Sequence, residues 1–534
     1  MSLTDYPYAS RRSALLAANG AVATSQPLAA NAGLAMLEKG GNAVDAALAT
    51  AIALTVLEPT SNGIGSDTFA IVWDGEKLHG LNASGRWPAA WDAQALRDQG
   101  HGGMPERGWA SVSVPGAPAS WHDLHERFGR LSVAELTAPA IAYAEQGFPL
   151  SPVISQLWNR AAPTFLGGDD PGMAGWRQVF TRDGRAPLAG QRWFSPGHAA
   201  CLRALTERGF RDFYEGQVAE QIVAYAKATG GVIDRDDLAA HNSEWVDPIR
   251  ISYRGHDIWE IPPNGQGIAA LIALGLLEDK DIASLAHGGE QAWHLQIEAM
   301  KLGFADAYRY VADAAHMEFP ASALLDPDYL ASRAALIGET ARVPEPGRPP
   351  GGGTVYLCSA DRDGMMVSFI QSNYMGFGSG VVLPELGISF QNRAFGFTLE
   401  SGHPNEAVAG KRPRHTIIPG FITRDGQAVG PFGVMGGEMQ PPGHLQVISS
   451  MLDHGLNPQA ALDAPRWKLA GGLDVDVEPG TDERLLASLI ERGHRPVVAA
   501  DRLSFGRGQI ILRLEEGVYA AGSEPRTDGA AVGY

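Results

Sequence analysis

The stretch PEPGRPPGGGTVYLCSADRDGMMVSFIQS, residues 344–372, joins a segment unable to hold regular structure to one that reads as a β-hairpin. Pro344, Pro346, Pro349 and Pro350 remove backbone donors, and Gly351 to Gly353 then free the chain to visit both signs of φ. Residues 343–353 are the clearest linker-like tract in the chain. From Thr354 the pattern changes. TVYLCSA alternates and is rich in β-formers, DRDG is turn chemistry, and MMVSFIQS alternates again. A turn centred on Arg362-Asp363 or Asp363-Gly364 sets Thr354 opposite residues 371 to 373. Directly opposed residues have Cβ atoms roughly 4.5–5.5 Å apart. Ser372 is therefore expected within hydrogen-bond reach of Thr354, or one register step away.

Two readings of this junction stand side by side. Cutting the Gly353-Thr354 bond would free an α-amine on Thr354. Such an amine has a pKa of about 7.7–8.0, so a fair fraction is unprotonated at neutral pH. It can then serve as general base for the residue's own hydroxyl, which makes Thr354 a nucleophile. The glycines before it would allow the bent geometry in which the hydroxyl attacks the Gly353 carbonyl. The plainer reading is a surface linker between two domains with a threonine at a strand start, and these residues alone favour it.

Composition narrows the class. A chain of 534 residues is too long for one ordinary core, so two domains or one large layered unit are expected. With 45% hydrophobic and 19% charged residues it is globular rather than disordered. A net charge of -18 argues against nucleic acid or an anionic membrane as partner. Two cysteines, Cys201 and Cys358, cannot form a disulfide scaffold, and no metal-type spacing exists, which suits a reducing, cytoplasmic setting. Arg11-Arg12 before an apolar run resembles a twin-arginine export signal, but Asn19-Gly20 breaks the run and no small-residue cleavage site follows. The longest apolar run, 46–57, has 12 residues, against the ~18–20 needed to span a bilayer.

Along the chain, 28–58 reads as two helices. The first stops at Gly40-Gly41; Asn42 caps the second, with Asp45 in its first turn. A glycine loop and a strand–turn–strand unit follow, turning at Asp74-Gly75. Residues 115–245 look mainly helical, 250–262 read as strands, 265–340 return to helix, and 354–534 are strand-rich with two or three helices.

The order of motifs resembles the γ-glutamyltranspeptidase family, N-terminal nucleophile hydrolases made as one precursor and self-cleaved into two subunits. ANAGLAMLEKGGNAVDAALATAIALTVLEP is similar to the family's helix pair, and NGIGSDTFAIVW to its following glycine loop. VSVPGAPASW, EIPPNGQGIAALIALGLLE, EAMKLGFADAYRY and YAAGSEPRTDGAAVGY also stand in the family's order, so the likeness covers nearly the whole chain. It implies a four-layer αββα sandwich of the α+β class. It implies a large subunit, 1–353, and a small one, 354–534, with 343–353 as the processing linker and Gly353-Thr354 as the cleavage site. Thr354 would be the nucleophile and Ser372 its supporting hydroxyl. Gly436 and Gly437, in GVMGGEMQPPGH, would donate backbone N–H groups to the oxyanion. Arg86, in ASGRWPAAW, would hold the substrate carboxylate with its guanidinium fork. No cofactor or metal is implied. The partners are a small amide substrate with a carboxylate and the two subunits of one precursor; a homodimer of processed heterodimers is left open.

The chain departs from the family where a γ-glutamyl ammonium would bind. Tyr374 stands where asparagine is usual, Arg393 where glutamine or glutamate is usual, and Gly396 where the ammonium-binding aspartate is usual. His415 and Thr416 replace a serine pair, and 396–410 is shorter than the family's lid loop. An unpaired ammonium in such a pocket costs several kcal/mol. The expectation is therefore amide hydrolysis without γ-glutamyl specificity, on glutaryl-, succinyl- or oxamate-type amides, close to the family's acylase and oxamate-amidohydrolase branches. A true γ-glutamyl hydrolase is the alternative within the class, and an unprocessed, non-catalytic binding scaffold the alternative outside it.

Four other signals carry less. Gly265-Gln266-Gly267 mimics a dinucleotide-binding turn, but Pro262-Pro263 intervenes. His122 and His125 lack zinc spacing and a third ligand. GFGSG, 376–380, fails the nucleophile-elbow pattern at Phe377. Cys358 has apolar neighbours and reads as a structural thiol.

Overall fold

The Thr354 hairpin forms as its sequence requires. In the computed structural model, which describes residues 7–9, 12–167, 171–344 and 353–534, strand Gly353–Ala360 pairs antiparallel with Met366–Tyr374. The Asp361 carbonyl accepts the Gly364 N–H at 3.2 Å, and its carboxylate accepts from Asp363 and Met365. The turn is thus centred on Arg362-Asp363, and Gly364 supplies the φ of 89° that closes it. The register runs from Ala360 opposite Met366 to Val355 opposite Gln371, then slips so that Gly353 faces Tyr374. Thr354 sits at that bulge. Residues 345–352 of the Pro/Gly tract lie outside the described residues.

Alternation assigns each strand face. Val355 and Leu357 point to helices, while Tyr356, Cys358 and Ile370 point to a second sheet. The first sheet has seven antiparallel strands, in order Ala530–Gly533, Ala21–Thr24, Gly353–Ala360, Met366–Tyr374, Asp67–Trp73, Leu78–Asn82 and Glu244–Val246. The second also has seven, in order Leu15–Ala17, Tyr519–Ser523, Arg507–Arg513, Gln427–Met435, Gly420–Arg424, His256–Glu260 and Ile249–Tyr253. Phe69, Ile71, Ile370, Phe421, Met435 and Ile511 fill the space between them.

Helices cover both outer faces. Over the first sheet lie Pro27–Glu38 and Ala43–Leu57, the pair expected from sequence. Asn42 Oδ1 accepts the Asp45 N–H at 3.0 Å and Asp45 accepts the Asn42 N–H at 2.9 Å, a capping box that starts a helix buried along its whole length. Over the second sheet lie Gly267–Leu277, Glu290–Tyr310 and Gln440–Leu452. The order helix, sheet, sheet, helix is the αββα sandwich of the α+β class. Each sheet takes strands from both sides of residue 354, so 1–353 and 354–534 share one layered core rather than forming separate domains.

The segment 15–20 meets the last strands of the chain. The apolar run after Arg12 forms strand Leu15–Ala17 against Tyr519–Ser523. Asn19 N–H donates to the Tyr534 carbonyl at 2.7 Å, and Tyr534 N–H donates to Gly20 at 3.2 Å. Among the described residues no helix is long and apolar enough to cross a membrane.

Candidate active site

Thr354 Oγ1 lies 3.0 Å from Ser372 Oγ, and both residues are fully buried. Ser372 Oγ accepts the Tyr374 N–H at 2.8 Å and Arg393 Nη2 at 3.2 Å. Gln440 Nε2 reaches Thr354 Oγ1 from the other side at 3.5 Å, and Gln440 Oε1 is held by the Ile418 N–H at 2.9 Å.

Arg393 ties the hydroxyl pair to a buried charge network. Its Nη1 donates to Thr416 Oγ1 at 2.7 Å, its Nε stands 3.8 Å from Asp67 Oδ2 without a hydrogen-bond partner, and its guanidinium lies 4.3 Å over the Tyr374 ring. His415 Nε2 is 3.1 Å from Asp67 Oδ2, while His415 Nδ1 accepts the Ile417 N–H at 3.3 Å. That pattern assigns the proton to Nε2 of a neutral ring. Burial, helped by Arg393 and Arg414, pushes the imidazole well below its usual range. Burial also lifts the Asp67 carboxyl to about 7 against the pull of Arg393, and draws Arg393 down to about 10 against the pull of Asp67.

The glycine pair adopts backbone that a side chain would oppose. Gly436 has φ 141° and Gly437 φ 60°, and a Cβ on Gly436 would come 3.2 Å from Gly506 Cα. Helix Gln440–Leu452 begins three residues later, so its N-terminal end and this loop face the same region as Gln440. Gln266 Nε2 holds the loop by donating to Gly437 O at 3.1 Å and Thr416 O at 2.8 Å. The Gly265-Gln266-Gly267 turn is therefore a strand-to-helix joint that supports the site.

Two residues beyond Ser372, Tyr374 reaches a cavity of about 660 Å³. Tyr374 connects the two: its backbone opposes Gly353, and its ring lines the cavity. Tyr374 takes φ 74°, a left-handed conformation that a tyrosine adopts only under constraint. Arg414 also lines the cavity, pinned by Gln266 Oε1 at 3.3 Å and Glu438 Oε1 at 3.1 Å. A Cβ at Gly396 would stand 2.7 Å from the Arg414 carbonyl, which leaves no room for an acidic side chain there. The short segment 396–410 folds down as a wall, through Asn405 Nδ2 to Gly396 O at 2.7 Å and Arg414 N to Asn405 Oδ1 at 2.9 Å.

Arg86 is not brought to this centre. Its guanidinium binds Asp313 at 3.2 Å and the Gly410 carbonyl at 3.0 Å, with Glu244 at 3.6 Å, and it lines a different cavity of about 580 Å³ with Arg412 and His241. The two cavities have no lining residue in common. Two acidic side chains hold Arg86 on the lining of that second cavity.

Among the described residues one trio has metal-type chemistry: His294, Glu298 and His494, with ligand atoms within 4.8 Å of one another. It does not fit a metal. Lys301 Nζ already sits 2.8 Å from Glu298 Oε1 and 3.4 Å from His494 Nδ1, in the place of a cation. His294 and His494 bond each other at 2.9 Å, and His294 Nε2 donates to Gly338 O at 2.9 Å. Elsewhere His125 Nε2 meets the Leu131 carbonyl at 2.8 Å, and both cysteines are free and buried, with burial raising the Cys358 thiol well above its usual range.

Sequence reasoning missed Asp67, Gln266, Arg414 and Gln440. Asp67 had a visible signal: one acid at the head of the otherwise uncharged strand Asp67–Trp73. Gln440 follows the glycine pair by three residues. Arg414 lies inside KRPRHTIIPG but carries no spacing rule of its own.

A family model described as gamma-glutamyltranspeptidase matches residues 29–534. The chain is 36% identical over 517 residues to the glutathione hydrolase-like YwrD proenzyme of Bacillus subtilis (strain 168), covering 95% of this chain and 97% of that protein. It is 32% identical over 530 residues to the oxamate amidohydrolase proenzyme of Klebsiella pneumoniae, covering 97% and 98%. Among solved structures, a cephalosporin acylase from Bacillus halodurans superposes with a TM-score of 0.95 at 50% identity, covering 99% of this chain and 98% of that one.

Proposed function

Because the chain belongs to the γ-glutamyltranspeptidase family, whose members are hydrolases and acyltransferases, we propose that it cuts itself at Gly353-Thr354 and then hydrolyses amides through a Thr354 acyl-enzyme. The observation that carries this reading is the 3.0 Å contact of Thr354 Oγ1 with Ser372 Oγ at the start of a strand, the end away from the hairpin turn. In processing, Thr354 Oγ1 attacks the Gly353 carbonyl and the peptide C–N bond breaks, leaving an ester and a free Thr354 amine. Water then cleaves the ester and releases a Gly353 carboxylate. In turnover, the Thr354 amine takes the hydroxyl proton as Oγ1 attacks the substrate carbonyl. Ser372 steadies Oγ1 and the N–H groups of Gly436 and Gly437 receive the oxyanion. The proton passes to the leaving amine, and water, or an acceptor amine, takes the acyl group.

The substrate we infer is an amide whose acyl part bears a carboxylate and no α-ammonium, of glutaryl, succinyl or oxamate type. Arg393 beside Ser372 repels a cation, and the closed space at Gly396 removes the usual acid. The names of the oxamate amidohydrolase and the cephalosporin acylase agree with such amides. One observation favours a γ-glutamyl substrate instead: Glu438 Oε2 is buried with no hydrogen-bond partner and could accept an ammonium.

A denaturing gel and two anilides test the proposal. The purified chain should give bands of 353 and 181 residues, and Thr354→Ala one uncut band with no hydrolysis. Activity surviving in Thr354→Ala, or a wild-type chain that stays whole, would sink the mechanism and favour a binding scaffold. Glutaryl-p-nitroanilide should be the better substrate; a clear preference for γ-glutamyl-p-nitroanilide would refute the specificity.

A further inference from the structure

We propose that Arg414, together with the Tyr374 hydroxyl, forms the anion subsite of the acyl pocket, and that the substrate's terminal carboxylate binds there rather than at Arg86. This inference rests on the amidohydrolase reading and adds the position and partners of the recognised group.

Placement comes first. The carbonyl attacked during self-cleavage belongs to Gly353, and a substrate's carbonyl must take the same place relative to Thr354 Oγ1. The acyl side of the site is therefore the side on which Gly353 lies. Gly353 pairs with Tyr374, and the Tyr374 ring opens onto the cavity of about 660 Å³. An acyl chain leaving Thr354 in that direction runs past Tyr374 into this cavity.

Donors come next. The Tyr374 hydroxyl is buried and has no hydrogen-bond partner, although the residue is fully enclosed. Burial pushes its pKa up to about 12, so it remains a donor across neutral pH. A buried, unmatched hydroxyl costs free energy unless something accepts from it. Arg414 faces the same space and is nearly buried. Its two anchors, Gln266 and Glu438, take part of the fork, and the Tyr308 ring lies 4.4 Å beneath it. These contacts fix the plane of the guanidinium in advance, which is what planar recognition of a carboxylate requires.

The charges around the cavity are nearly balanced, with Glu400 also on its lining. Glu438 offsets the charge of Arg414, and Asp67 part of that of Arg393, which stacks on Tyr374. Arg309 at the rim pairs with Glu318 at 2.7 Å. The Tyr308 hydroxyl lies near Glu438. No acid stands at Gly396. A ligand carboxylate would thus meet one held guanidinium and one idle hydroxyl, while the walls of Phe395 and Phe397 suit the methylene chain between carboxylate and amide. The matching ligand is the monoamide of a short dicarboxylic acid.

Arg414→Leu and Arg86→Leu, each first shown to cleave itself, are compared on glutaryl-p-nitroanilide and its uncharged analogue butyryl-p-nitroanilide. Glutarate binding is measured by calorimetry in parallel. Arg414→Leu should raise KM for the glutaryl anilide about tenfold or more beyond whatever change it causes for the butyryl anilide, as loss of a charge-assisted bond implies. Glutarate should weaken by a similar factor, and Arg86→Leu should change none of these. An unchanged glutaryl KM in Arg414→Leu, or the loss appearing in Arg86→Leu instead, overturns the subsite while leaving the amidohydrolase reading intact. If Arg414→Leu fails to cleave itself, Arg414→Lys replaces it: a loss confined to the glutaryl anilide supports the proposal, and an equal effect on both anilides overturns it. If the wild type cleaves neither anilide, glutarate decides alone. Binding that weakens in the Arg414 variant keeps the subsite and removes the amidohydrolase reading; no binding to the wild type overturns the subsite.

Discussion

Arg393 stands two hydroxyls away from the group that must act as base. Its Nη2 is 3.2 Å from Ser372 Oγ, which is 3.0 Å from Thr354 Oγ1. A fixed positive charge so close disfavours the ammonium form of a freed Thr354 amine and lowers its pKa. The facing groups are Asp67, which burial lifts to about 7 and which offsets part of that charge, and His415, which stays neutral. Arg393→Gln removes the positive charge, so the amine's pKa should rise. The acid limb of kcat/KM against pH should then move to higher pH by about half a unit to one unit, and Arg393→Lys should keep it in place. An unmoved limb in Arg393→Gln would show that the charge does not reach the amine. The Thr354–Ser372 contact was readable from sequence because it depends on spacing within one hairpin. The fate of Arg86 was not, because Asp313, which holds it, lies 227 residues away.

At the scale of elements, local rules carried the helix pair and its Asn42–Asp45 box, the Asp74-Gly75 turn and the 361–364 turn. The bulge beside Gly353 was invisible, since it arises where the strand end meets Tyr374 in a left-handed conformation. In sequence the 396–410 segment reads only as shorter than the family's lid loop; its role as a cavity wall depends on Asn405 reaching both Gly396 and Arg414. The glycine loop makes a sharp prediction of its own. Gly436→Ala adds a Cβ at φ 141° and 3.2 Å from Gly506 Cα, so the 436–437 peptide must rotate. Displacing one oxyanion donor should cut kcat by about 10²–10³ with little change in KM. Full activity in steady-state assays of that variant would mean that these N–H groups do not meet the oxyanion.

For the whole molecule, the sequence by itself indicated only mixed α and β; the layer order came from resemblance, because strands that are neighbours in space come from opposite ends of the chain. Ala21–Thr24 pairs with both Gly353–Ala360 and Ala530–Gly533. Ion pairs cross the same boundary: Glu58 meets Arg507 at 3.5 Å, and Lys301 with Glu298 contacts His494. Cleavage at residue 353 would cut one link in a core that both pieces build. The fragments should therefore co-elute as one species on size exclusion and separate only in denaturant; two native peaks would contradict the shared core. The meeting of Tyr534 with Asn19 and Gly20 has a further consequence. Tyr534 bonds both Asn19 and Gly20, and Arg12 reaches the Gly529 carbonyl, so a short splice could join Tyr534 to a chain begun at Arg12. A rearranged gene could then start translation at Thr354 and finish at Gly353. Once the initiator methionine is trimmed, such a protein would carry its amine from the ribosome onward and turn over amides with no maturation step.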